Sequence, residues 1–182
     1  KVDKVHSISY SLLERAKSLN LENNKKQIII YPAVNKDYFK NNKSSKDLSS
    51  KNKIEILTVA RLHWIKGLEY TIQALAKLKD INFNYTIIGS GSEYDRILLV
   101  INHFDLTDRV KILSHVPHSG LINFYKKADF YLQYSLEEGF CNSVLEAQSM
   151  GLLTIVSDAS GLKENIIHGK TGWVVPKRNQ IY

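Results

Sequence analysis

Arg61 and Lys66 stand five residues apart, bracketing His63 and Trp64, directly after the short apolar run 54–60. Glu137-Glu138-Gly139-Phe140-Cys141-Asn142 follows a second apolar run and leads into a helical pattern that contains Glu146. Cations beside the unpaired N–H groups of a helix start are what an anion such as a diphosphate needs. Taken singly, each element has an ordinary account. Arg61 and Lys66 read as surface charge, Glu137 and Glu138 as a solvated pair, and Glu146 as an exposed helix residue. Gly89-Ser90-Gly91 lacks a third glycine at Tyr94 and reads as a simple strand–helix turn. His115 and His118 have Pro117 between them, which disfavours a helix there, and no third ligand is evident. They read as loop histidines without a metal.

The elements that must position these residues alternate along the chain. Strands are expected at 54–60, 83–88, 109–113, 129–134, 152–156 and 171–175. Helices are expected at 67–79, 93–103, 121–127 and 142–150, with a short one at 162–167. Apolar residues Leu68, Ile72, Leu75, Ala76 and Leu78 recur close to helical spacing. Strands alternating with such helices imply right-handed crossovers, a parallel sheet and helices on both faces. The fold class is therefore α/β, a Rossmann-like doubly wound parallel sheet. In an open parallel sheet, ligands bind beyond the carboxyl ends of the strands. That edge would gather Arg61, Lys66, the glycine turn, Ser114 to Val116, Glu137 to Asn142, and Ser157-Asp158.

Residues 1–52 are expected to be a separate trailing strand–helix–strand plus linker, and 53–182 the main domain. Val5–Ser9 and Gln27–Tyr31 resemble strands, and Ser11–Ser18 a helix with Ser11 as its N-cap. A lone unit of that kind cannot bury both of its faces, which fits the end of a preceding domain. The start at Lys1 and the abrupt end at Tyr182 are expected of a piece of something longer.

Composition narrows the classes. The 182 residues carry 43% hydrophobic and 24% charged side chains, a globular balance that excludes wholesale disorder. One cysteine, Cys141, excludes a disulfide framework and a cysteine-based zinc site. The longest apolar run, Ile97 to Ile101, is far too short to span a bilayer, and no signal-peptide core opens the chain, so a cytoplasmic domain is expected. The formal charge of +7 favours anionic partners. Much of the excess lies in the Lys-, Asn- and Ser-rich stretch 36–53, which reads as a solvated linker more than as a nucleic-acid face.

In combination the motifs are more specific. Within EEGFCNSVLEAQSMG, residues 137–151, seven residues separate Glu138 from Glu146. This resembles the Glu–seven–Glu motif of the retaining family-four glycosyltransferases of GT-B fold. ARLHWIKG, 60–67, looks like that family's phosphate-binding Arg and Lys segment. YPAVNKDYF, 31–39, resembles its interdomain stretch, with Ala33 in place of an asparagine-glycine pair and Asn35 in place of an aspartate. SGLKENIIHGKTGWVV, 160–175, matches its pattern near the end of the donor domain.

The resemblance implies a donor half, facing a separate acceptor half, with 1–52 as the acceptor half's trailing end. It implies that Arg61 and Lys66 stabilise the leaving diphosphate in catalysis, aided by backbone N–H groups near Asn142, Ser143 and Val144. Glu138 would hold the donor sugar's hydroxyls and Glu146 the ribose hydroxyls. Gly139, Phe140 and Cys141 would border the sugar, the last two through backbone amides, although Cys141 sits where the family often has small or proline residues. His115 and Val116 would border the base. No cofactor and no metal are implied, because Arg and Lys take the metal's role. The partners would be a nucleotide-sugar and a glycan or lipid-linked acceptor, with peripheral association of the parent at the inner membrane face and no nucleic acid. Two rivals stand beside this: a glycosidase-type hydrolase using Glu138 and Glu146, which would have no need of Arg61 and Lys66, and a basic nucleotide- or nucleic-acid-binding module using the 36–53 run.

Overall fold

The computed structural model describes residues 4–21, 26–40 and 51–177. Six parallel strands form the main sheet: β3 (Ile54–Val59), β4 (Phe83–Ile88), β5 (Val110–Leu113), β6 (Phe130–Gln133), β7 (Leu153–Ser157) and β8 (Gly172–Val175). Their spatial order is β5-β4-β3-β6-β7-β8, and every pairing is parallel. This is the doubly wound order, in which the winding reverses between the first and fourth strands of the domain, here β3 and β6.

Side-chain alternation along β3 builds the two halves of the core. Ile56 joins one cluster and its neighbour Leu57 the other, as a strand with both faces covered requires. Helices α2 (Leu68–Ala76) and α3 (Tyr94–His103) supply Leu68, Ile72, Leu75, Ile97 and Ile101 to one face. Helices α4 (His118–Lys127) and α5 (Asn142–Ser149) supply Leu121, Tyr125, Val144 and Ala147 to the other. The segment after β3 is pinned by Leu62, which is wholly buried against α2 and α3. Burying such a side chain contributes about 1.5–3 kcal/mol, and it fixes its neighbour Arg61 on the exposed side.

Three local expectations change. The helix after β5 begins at His118 rather than at Leu121, because Pro117 occupies its N-cap instead of breaking it. A missing N–H costs nothing at a helix entry, where donors are unsatisfied anyway. The short helix at 162–167 is a single 3-10 turn, Lys163–Asn165. In the first unit the cap of α1 (Tyr10–Ser18) is Ser9, whose side chain accepts from Leu12 N–H, while Ser11 lies inside the first turn.

That first unit pairs β1 (Lys4–Ser7) with β2 (Lys26–Ile29) in parallel. It does not stand apart from the main domain. Glu164 accepts hydrogen bonds from Tyr10 N–H (2.8 Å), Ser11 N–H (2.8 Å), the Ser11 hydroxyl (2.5 Å) and the Tyr31 hydroxyl (3.2 Å). Leu12 faces Gly139, and the rings of Tyr31 and Phe140 lie 5.5 Å apart. Phe39, in the stretch read as trailing unit and linker, is buried in the main core against Tyr125. Part of the linker, 41–50, lies outside the described residues.

Burial pushes the Glu164 carboxyl up, but the bonds from Ser11, Tyr10 and Tyr31 outweigh it and leave the pKa lowered. A carboxylate with a lowered folded-state pKa stabilises above the unfolded range and loses that contribution as pH falls through the lowered value. Glu164→Gln is therefore expected to be less stable than wild type at neutral pH, with the difference vanishing in acid. Amide exchange at Tyr10 and Ser11 reads the same contact. Unchanged protection in the variant at neutral pH would contradict it.

Candidate functional site

The reversal point between β3 and β6 is where a doubly wound sheet opens a crevice. The segment after β3 and the loop after β6 meet there, joined by a hydrogen bond from Leu136 N–H to the Ile65 carbonyl (2.7 Å). Gly67 holds the first segment in a left-handed conformation (φ 55°), with Tyr134 packed so closely that no side chain would fit. Above this joint lies a cavity of about 270 Å³. Arg61, Ile65 and Lys66 line one wall, Glu137, Glu138, Gly139 and Ser160 another, and Ser11, Leu12 and Arg15 of α1 a third.

Lys66 Nζ forms an ion pair with Glu138 Oε2, and both side chains are largely buried, at 13% and 14% exposure. The reading of Glu137 and Glu138 as a solvated pair therefore holds only for Glu137, which is exposed and meets Arg15 at 3.3 Å. Glu138 also accepts from the Ser135 hydroxyl (3.2 Å), which accepts from Gln133 Nε2 (3.0 Å). Tyr131 hydroxyl continues this buried chain to Gln133 (3.2 Å) and Ser143 (2.7 Å). A satisfied polar floor of this kind holds the carboxylate in one orientation. Arg61 is exposed at the cavity wall and has no carboxylate partner among the described residues.

The loop 138–141 is clamped from below. Gly161 N–H donates to Glu138 O (2.9 Å), and a Cβ on Gly161 would overlap the Gly139 carbonyl oxygen. Asn165 brackets the Cys141 peptide, accepting from its N–H (3.3 Å) and donating to its carbonyl (3.1 Å). The amide that the resemblance assigns to a sugar is thus already engaged at Cys141, whereas the Phe140 N–H has no partner among the described residues. Burial pushes the Cys141 thiol pKa up, with Ser143 pulling against it, so the thiol is a poor nucleophile at neutral pH.

Asn142 opens α5, exposed and outside the cavity lining, and no side chain caps this helix start. The Ser143 hydroxyl points down to Tyr131, and Val144 is buried in the core. Glu146 is no exposed helix residue: it is 8% exposed, bonded to the Tyr125 hydroxyl (2.7 Å) and to His118 Nε2 (3.1 Å). His115 is exposed and Val116 half-buried in the turn between β5 and α4. Gly89 and Gly91 lie tight under the backbone of Ala60 and Leu62, so that turn supports the Arg61 segment.

Sequence reasoning missed Glu164, Asn165 and the α1 wall. The first two stood inside the quoted 160–175 motif without a role. The third is a contact across more than a hundred residues, and nothing local signals it. A groove of about 580 Å³ beside α2 is larger but mostly apolar, and one of about 260 Å³ between α2 and α3 has its Arg96 paired to Glu69 and Glu93. Among the described residues no cluster of His, Cys, Asp and Glu could hold a metal ion, and no helix is long and apolar enough to cross a membrane.

A doubly wound sheet with cations, a carboxylate and an uncapped helix start at its reversal point has the features that suit an anionic ligand. Residues 39–181 match the family described as Glycosyl transferases group 1, and the chain belongs to that family. It is 36% identical over 132 residues to the amylovoran biosynthesis glycosyltransferase AmsK of Erwinia amylovora, covering 68% of this chain and 32% of that one. It is 26% identical over 177 residues to the N-acetyl-alpha-D-glucosaminyl L-malate synthase of Bacillus anthracis, covering 94% and 46%. The chain thus spans between about a third and a half of these relatives. Among solved structures, sucrose-phosphate synthase from Thermosynechococcus elongatus superposes with a TM-score of 0.85 at 23% identity, over 98% of this chain and 46% of that one. Anabaena HepE in complex with UDP and glucose superposes with a TM-score of 0.78 at 20% identity, over 96% and 50%. These two likenesses speak for the fold.

Proposed function

We propose that the chain is the donor-binding part of a retaining glycosyltransferase. The whole protein would transfer a sugar from a nucleoside diphosphate to a glycan or lipid-linked acceptor at the inner membrane face, without a divalent metal. The observation that carries this reading is the buried Lys66–Glu138 pair beside Arg61, at the reversal point of the sheet. When the bond from the anomeric carbon to the diphosphate breaks, the electron pair leaves with the phosphate oxygen and the sugar becomes oxocarbenium-like. Fixed cations aimed at that charge lower the barrier most in a closed, dry cleft. Arg61 and Lys66 would serve this, with the start of α5 adding backbone donors. Glu138 would exchange Lys66 for the sugar's hydroxyls when the donor enters. Glu146 would take the ribose, with His115 and Val116 beside the base.

A hydrolase built on Glu138 and Glu146 fits less well, because Tyr125 and His118 hold Glu146 and Lys66 holds Glu138. Polysaccharide assembly as the setting draws support from the names of relatives such as AmsK and the putative colanic acid glycosyltransferase WcaL.

The full-length protein carrying this chain should be incubated with nucleotide-sugars and envelope glycan acceptors, with EDTA present. Transfer that survives EDTA, giving product of the donor's anomeric configuration, is expected. Inverted product, or strict dependence on added metal, would overturn the proposal.

A further inference from the structure

Both oxygens of Glu146 are held, by two side chains of one helix. Tyr125 of α4 donates its hydroxyl to Oε2 at 2.7 Å, and His118, the first residue of the same helix, meets Oε1 through Nε2 at 3.1 Å. A carboxylate only accepts, so the imidazole donates from Nε2. His118 is itself held from outside the helix. The ring of Tyr38 stacks parallel to it (5.9 Å between centroids, 4° between planes), and Phe39 meets it edge-on at 5.4 Å. Phe39 is buried against Tyr125, and its carbonyl accepts from the Ser149 hydroxyl (2.7 Å) at the end of α5. The segment that enters the domain therefore grips the residue that grips Glu146.

We propose that His118 is a positioning residue for nucleotide recognition, setting the plane of the Glu146 carboxylate so that both oxygens can face a ribose diol. The inference rests on the reading of Glu146 given above. The terminal torsion of a glutamate is soft, so the bond from Tyr125 alone leaves the carboxylate free to turn about it. The second bond, from His118, removes that freedom. A bidentate grip on two vicinal hydroxyls depends on the fixed plane, and a site ordered in advance loses less on binding. Tyr38 supports the arrangement by keeping the imidazole from swinging into solvent. The His118 side chain is 63% exposed, so its truncation leaves the core intact.

The test separates ribose recognition from general damage. The chain, His118→Ala, His118→Gln and Tyr38→Ala are each titrated calorimetrically with UDP, GDP, ADP and CDP, and with the 2′,3′-dideoxy form of whichever binds. Wild type is expected to prefer the ribonucleotide by ~10-fold or more, the scale of one or two hydrogen bonds to a charged group. His118→Ala should lose most of that preference while binding the dideoxy form as wild type does. His118→Gln, whose amide nitrogen can reach Oε1, should recover part of it, and Tyr38→Ala should fall between. An undiminished preference in His118→Ala would overturn the inference and leave the donor reading standing. Absence of any preference in wild type would overturn both this inference and the ribose role of Glu146. Failure of wild type to bind any of the four would overturn the donor reading itself.

Discussion

Arg61→Ala and Lys66→Ala are each expected to weaken nucleoside-diphosphate binding by ~10–100-fold, since hydrogen bonds to charged groups contribute ~1.5–3 kcal/mol. The two losses should differ in kind. Arg61 is exposed at the cavity wall without a carboxylate partner among the described residues, so its removal takes away attraction and disturbs nothing else. Lys66 is largely buried against Glu138, so its removal also leaves a carboxylate in the cavity that repels the phosphates. Lys66→Ala should therefore weaken binding more, and Glu138→Gln in the same background should recover part of the loss. Calorimetric titration gives the affinities, and circular dichroism with thermal melting shows whether the fold is kept. Equal affinity in wild type and both single variants would reduce Arg61 and Lys66 to surface charge.

Gly161→Ala should have the largest effect on stability, although position 161 touches no proposed ligand. An added methyl group would overlap the carbonyl of Gly139, which is backbone on backbone, so no flexible side chain can yield. Overpacking of this kind costs ~1–3 kcal/mol and occasionally more, and Gly161 also donates its N–H to Glu138 O. The loop 138–140 must move outward to make room, carrying Glu138 away from Lys66. A fall of that size in urea-unfolding free energy is expected, together with weakened nucleotide binding in the folded fraction. Wild-type stability in this variant would show that the loop is free to shift, and that the clamp beneath it is not tight.

Alternation of short β-rich runs with helical spacing gave the strand and helix order, because each element's periodicity is written within its own residues. The same is true of Arg61, Lys66 and Glu138, which follow strands and so fall at the carboxyl edge. What decided the character of Glu138 and Glu146 lay elsewhere in the chain. Lys66 is 72 residues from Glu138, and His118 is 28 from Glu146. No spacing rule connects such pairs, so both carboxylates carried a reading as solvated side chains that the fold removes. Glu164 is the extreme case, bonded to Ser11 across 153 residues. Nearby, Gly161 and Asn165 act on the backbone of the 138–141 loop, one by lacking a side chain and one through its side-chain amide, and nothing close in the chain says which backbone they meet. Pro117 was misjudged for a different reason. A proline excludes a helix interior but suits its entry, and only the position of His118 in the fold distinguishes the two.

The central claim is that a diphosphate binds between Arg61, Lys66 and the start of α5. Crystals of the chain grown with the nucleoside diphosphate that most raises its melting temperature would test this directly. The phosphates are expected within hydrogen-bond distance of the Arg61 guanidinium and the Lys66 ammonium, with Lys66 turned away from Glu138 and the ribose at Glu146. A diphosphate seated elsewhere, with the Lys66–Glu138 pair intact, would contradict the account.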